Sequence, residues 1–382
     1  MGKRELMLAV AFVLVGVVVY QFTAPPPDPK ARGFSFSRII DGVRREVRGN
    51  RESAETTHAY TRPASETLKE IRLRMPVGAI AVTGEDRADI QVELHVRSNG
   101  YDQAEAEALA KATVIKFDEA GGVLIMTLDD PVNGIQRPTL RVKVPARLGI
   151  RVDEKNGELT IANVSMVAMG TARAPTTISQ IPGAVSLTQR GSSATLTDLG
   201  SLKLTTAAGA KVRVSQVRGD ASFTVQTGEL RVDTLTVGLE VESRNSDMEF
   251  DKIDGLKGPV RVNANLGKMT LTGLKTDTRI DGRETEIRVS MAAPAPLAIY
   301  SEGEEPIELT VPDGGFNVDA LSINGSVTID AALEKTGLRV VAPPADAPAE
   351  SRRETRVKGA VGGGGPTVTL RANRGDIVLR SK

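Results

Sequence analysis

From Glu66 onward the chain alternates apolar and polar residues. The stretch E-T-L-K-E-I-R-L-R-M-P-V-G-A-I-A-V-T-G is followed by Ile90-Gln91-Val92-Glu93-Leu94-His95-Val96. Period-two alternation bounded by Gly and Asp is the signature of half-buried strands. One helix is expected to interrupt it, because Asp102 can cap the Ala- and Glu-rich run Gln103 to Lys111. Strands are predicted again over 113–117, 123–128 and 140–144.

Beyond Pro145 the alternation becomes a repeat. Apolar pairs follow tight turns at Leu159/Ile161, Ala194/Leu196, Val212/Val214, Leu230/Val232, Met248/Phe250, Met269/Leu271 and Ile287/Val289. A second series runs Val185/Leu187, Leu202/Leu204, Phe223/Val225, Leu239/Val241, Val260/Val262 and Thr278/Ile280. A third holds Leu199, Val217, Leu235, Ile253 and Leu274. A unit of roughly 19 residues cannot bury its own apolar side, whereas stacked units share one core at a spacing of about 4.8 Å. The predicted fold class is therefore all-β. A β-solenoid, or β-helix-like stack of ~19-residue rungs, is expected, with one short helix near its N-terminal end.

The N-terminus predicts an anchor. Residues 6–22 are apolar except for Gln21, and Lys3 and Arg4 precede them. At a rise of about 1.5 Å per residue such a run nearly spans a bilayer. The context before Ala24 is poor for signal cleavage, so a retained single transmembrane helix is expected. The predicted organisation is then an anchor over 1–23 and a Pro-rich, basic, largely disordered linker over 24–65. An N-terminal β region with one helix follows over 66–150. The repeats occupy 151–345, and a flexible loop with C-terminal capping strands occupies 346–382. Within the linker, residues 34–48 carry Phe36, Ile39, Ile40, Val43 and Val47 at helical spacing among arginines. A membrane-surface helix and a plain tether both fit that pattern.

Composition narrows the chemistry. With 49 Lys+Arg against 48 Asp+Glu, the chain carries no basic field suited to nucleic acid. Cysteine is absent, which excludes disulfides, thiolate metal sites and cysteine nucleophiles. Two histidines leave little for His-based catalysis, and the motifs of common hydrolases, nucleotide binders and zinc proteases do not occur. No cofactor or metal is expected.

Several stretches carry a family resemblance. These are I-R-L-R-M-P-V-G-A-I-A-V-T-G, the Ala/Glu helix and Leu140-Arg141-Val142-Lys143-Val144-Pro145 with R-V-D-E-K-N-G-E-L-T-I. The terminal G-G-G-G-P-T-V-T-L-R-A-N-R-G-D-I-V-L belongs with them. From about Glu66 to Lys382 the chain resembles the putative-adhesin β-strand-repeat domains of bacterial envelope proteins, a family of unknown function. The resemblance implies an anchored, envelope-facing β domain and supplies no catalytic residues.

Candidate sites are few. Arg218-Gly219-Asp220 and Arg374-Gly375-Asp376 invite an adhesive reading, but Gly-Asp ahead of a strand is ordinary corner chemistry. Carboxylates cluster at Asp129-Asp130, at Asp251/Asp254 and at Glu302-Glu304-Glu305, without a calcium-loop spacing. His58 and His95 lack partners at motif spacing. Asn163-Val164-Ser165 and Asn324-Gly325-Ser326 are formal glycosylation sequons. No catalytic, cofactor or metal residue is assigned.

The expected protein is a non-enzymatic binding, adhesion or scaffolding module. It would sit in the inner membrane through residues 6–22, with the N-terminus cytoplasmic and the β domain extracytoplasmic. An envelope protein or a glycan is the expected partner class, and the sequence leaves the oligomeric state open. The rival readings are a β-helix polysaccharide lyase or hydrolase and a self-assembling structural rod.

Overall fold

Inward side chains repeat every second residue through nearly every strand. Val260, Val262 and Ala264 are buried while Arg261 and Asn263 face out. Tertiary structure then decides what those buried rows meet. A computed structural model describes residues 52–132, 136–341 and 353–382. Its strands join in a single 26-stranded sheet.

Most pairs are parallel, and two ladders carry them. In one, Ala194 lies opposite Val212, Val212 opposite Leu230 and Leu230 opposite Met248. Val214, Val232 and Phe250 follow in the same register, each buried. In the other, Val185 lies opposite Leu202, Leu204 opposite Phe223 and Phe223 opposite Val241. The expected phase of this second series slips by two residues at one point. Ala221 and Phe223, rather than Phe223 and Val225, take the places opposite Leu202 and Leu204. The ladders face each other across the core, where Phe223 and Phe250 meet edge to face at 5.9 Å.

Long strands such as Thr176–Arg190 and Ser193–Ala207 serve both ladders by bending. The bend falls at Gln180, Asp198, Gln216 and Thr234, which share a left-handed φ of 56° to 65°. A non-glycine residue in that region costs about 1–2 kcal/mol. Its recurrence at one place in each repeat shows that the flanking pairs enforce the corner.

Both ends carry antiparallel pairing and a helix. At one end Glu52–Pro63 pairs with Asp89–Gly100, which pairs with Gln136–Pro145. The helix Gln103–Ala112 crosses this end, with Asp102 accepting from the Glu105 amide at 2.8 Å and Ala106 and Ala110 buried. At the other end Glu354–Val361 pairs antiparallel with Phe316–Ile323 and Val340–Val341. A short helix, Ala331–Lys335, lies there with Leu333 buried.

These features correct the predicted fold class. The body is all-β, but it is one mixed, sheet-rich structure with antiparallel ends, not a uniform β-solenoid of ~19-residue rungs. Among the described residues it has two α-helices where one was expected. The transmembrane helix predicted over residues 6–22 lies outside the described residues, as do the basic residues 34–48. Among the described residues no helix is long and apolar enough to cross a membrane. The single-pass inner-membrane location is therefore not supported.

Two boundaries also move. Residues 52–63, expected within the disordered linker, form a twelve-residue strand, because His58, Tyr60 and Arg62 have the end of the core to pack against. The strand Thr367–Arg374, expected to cap the stack, lies inside it. Val368 pairs with Leu297 on one side and with Val318 on the other. Chain order and spatial order part there because two different strands offer matching parallel edges.

Candidate functional site

A groove of about 710 Å³ runs across six parallel strands. It follows the corner where the chain enters the second ladder, a corner rich in glycine. Gly183, Gly200, Gly219, Gly238 and Gly258 occupy that corner in successive repeats. At Gly200 a Cβ would fall well inside contact distance of the carbonyl oxygens of Pro182 and Gly183. Close backbone approach likewise excludes a side chain at Gly183 and Gly219, while Gly238, which lines the groove, faces the Asp220 carboxylate. Buried Val185, Leu202 and Leu239 form its apolar floor.

One bank repeats with the strands. Ala168, Ser186, Lys203, Ser222, Glu240 and Arg261 lie directly opposite one another in register. Adjacent members are thus about 4.8 Å apart, and the trough spans about 24 Å. Beyond this bank runs a hydroxyl ladder of Thr171, Thr188, Thr205 and Thr224, also in direct register. Met166, 40% exposed, stands at one end of the trough, and Asp220 lines the facing bank.

Many charges elsewhere on the surface are paired. Lys211 pairs with Glu229 at 2.8 Å, Lys268 with Glu286 at 3.2 Å, and Arg279 with Asp281 at 2.8 Å. The Lys211 contact holds the Glu229 carboxyl below its ordinary range. Burial alone would raise the Asp319 carboxyl, but the Arg371 and Arg356 guanidiniums keep it low. Among the described residues, Arg261 is the one groove charge that is paired, with Asp277 at 2.7 Å. Lys203, Asp220 and Glu240 form no ion pair among the described residues. Their charges are available to a ligand.

The residues singled out in the sequence scatter. Arg218 pairs with Asp198 at 2.8 Å, and Gly219 donates to the Gly200 carbonyl at 2.5 Å. That tripeptide is a bonded corner, of which only Asp220 reaches the groove. Arg374 pairs with Glu284 at 3.4 Å and Glu304 at 3.6 Å, while Asp376 accepts from the Ser326 amide and hydroxyl. Asp129 pairs with Lys116, and burial raises the Asp130 carboxyl. Asp251, Asp254, Glu302 and Glu305 join no cluster of three or more metal-ligating side chains among the described residues. Asn163 donates to the Gly84 carbonyl at 2.6 Å. His95 lies 3.3 Å from the Thr57 hydroxyl and 3.7 Å from Glu55. With Glu93, Thr139 and Arg141 it lines a smaller cleft of about 320 Å³.

Two features escaped the sequence reading. The glycine corner could have been found, since glycine stands two residues ahead of Val185, Leu202, Ala221 and Val260. Lys155 could not. Its side chain is fully buried and its Nζ donates to the carbonyls of Met75, Val77 and Gly78 at 3.1, 3.0 and 2.6 Å. Burial pushes its ammonium down to about 8.

Comparisons with known proteins add little. No family model and no curated protein matches the chain. Solved structures do match across most of it. A putative cell adhesion protein from Clostridium sporogenes is 10% identical over 87% of this chain and 100% of its own, with a TM-score of 0.22. A putative adhesin from Parabacteroides merdae is 8% identical over 85% and 96%, with a TM-score of 0.29. One from Bacteroides fragilis is 12% identical over 86% and 97%, at 0.25. Their descriptions coincide with the family that the sequence resembles. At these scores the likeness carries no argument about fold or function.

Proposed function

We propose that this chain is a non-catalytic binding module that holds a linear glycan along the glycine-cornered groove, in an adhesive or scaffolding role. The observation that carries this reading is the strand-by-strand repetition of the groove. Its bank offers one group every 4.8 Å or so, whereas an extended peptide presents same-side side chains about every 6.8 Å. A chain of sugar rings, each close to one strand spacing in length, meets an equivalent position at every step. Ser186, Ser222 and the threonine ladder supply hydroxyl donors and acceptors, and Lys203, Asp220 and Glu240 add charged groups.

The test is isothermal titration with soluble linear β-linked oligosaccharides of increasing length, beside the variant Ser222→Trp, which fills the trough from an outward position. Affinity that rises up to about five rings and is lost in the variant is the expected result. Length-independent binding, or equal binding by the variant, overturns the reading. Release of new reducing ends overturns its non-catalytic part.

A further inference from the structure

Glu52–Pro63 is the terminal strand of its ladder, and twelve residues of it pair with Asp89–Gly100 in unbroken antiparallel register. Among the described residues nothing pairs with its other edge. Natural edge strands are normally blunted by lysine, a bulge or an internal proline. This strand has none of these, since its one proline is the final residue.

We propose that two copies of this chain associate through that edge, pairing Glu52–Pro63 antiparallel with itself about a twofold axis at Thr57. The charge pattern selects this register. It sets Glu52 of each copy opposite Arg62 of the other, giving two symmetric ion pairs and no like-charge pair. It also sets Thr56 of each copy opposite His58 of the other. Moving the axis to Thr56 puts Glu52 opposite Tyr60, and moving it to His58 stacks histidine on histidine. Odd shifts turn the inner face outward. The contact is isologous, so it closes at two copies and does not propagate.

Sedimentation over a concentration series tests this on the full chain. The wild type is expected to dimerise. Glu52→Arg, an exposed change that leaves the fold intact, sets arginine opposite arginine twice and weakens the dimer about tenfold. Arg62→Glu does the same, and the double exchange restores wild-type association. A wild type that stays monomeric throughout, single variants that dimerise as well as the wild type, or a double exchange that restores nothing overturns the proposal.

Discussion

Lys155 offers a measurement in which burial and hydrogen bonding make opposite demands. It closes the strand Gly149–Lys155, and its side chain has no exposure. The three carbonyls around Nζ match the three donors of an ammonium, yet among the described residues no carboxylate pairs with it. Burial moves the amine from its ordinary 10.5 to about 8. That displacement corresponds to about 3 kcal/mol against the charged form.

The sign follows from proton counting. Unfolded, the amine keeps its proton up to its ordinary value; folded, it releases it near 8. Between those limits the unfolded state binds more protons, so the stability of the wild type rises with pH. Below pH 8 both states are charged and the full penalty is present. In Lys155→Met the penalty vanishes, but three buried carbonyls lose their partner, which costs about 2–4 kcal/mol net at pH 7. The stability difference between wild type and variant should then widen by up to about 3 kcal/mol from pH 8 to pH 10.5. Urea unfolding followed by far-ultraviolet circular dichroism measures it, since the chain has no tryptophan. Subtracting the variant removes every other titrating group. A difference that stays flat across that window refutes the reasoning, because the carbonyls would then be offsetting the burial completely.

Two further outcomes follow from the geometry. Gly200→Ala forces a Cβ into the backbone of the preceding repeat and should lower the unfolding midpoint far more than Gly209→Ala. The latter meets open space and bears only the roughly 1 kcal/mol penalty of a left-handed φ, here 74°; equal losses by urea titration would refute the close-approach account. Asp330 caps the helix Ala331–Lys335 and also accepts from the amide and hydroxyl of Ser381. Burial would raise its carboxyl, but these bonds hold it below the ordinary range. Its contribution should be present above the ordinary carboxylate value and disappear as pH falls through the lowered one, with Asp330→Ala costing about 1 kcal/mol at pH 7 in thermal unfolding.

The legible part of this protein was local. Alternation in Val260-Arg261-Val262 names a strand and its inward face, because side chains alternate strictly across a pleated backbone. The recurrence of Ala194, Val212 and Leu230 names partners, since only in-register parallel pairing brings like positions together. Asp102 and its Ala-rich run announce a helix through capping chemistry that involves only neighbours.

What only the tertiary structure decided involves distant pieces of chain. Val368 lies between Leu297 and Val318 because two separate edges fit it, and no local pattern distinguishes those edges from the free end. His58, Tyr60 and Arg62 read as tether until Phe117 supplies a surface for them. Lys155 alternates like any surface lysine, and only the carbonyls of Met75, Val77 and Gly78, far away in sequence, make its interior position tolerable. Glycines at irregular steps come to share one corner only when successive repeats bring their backbones together. Periodicity encodes which face turns inward; contact between remote segments decides what that face meets.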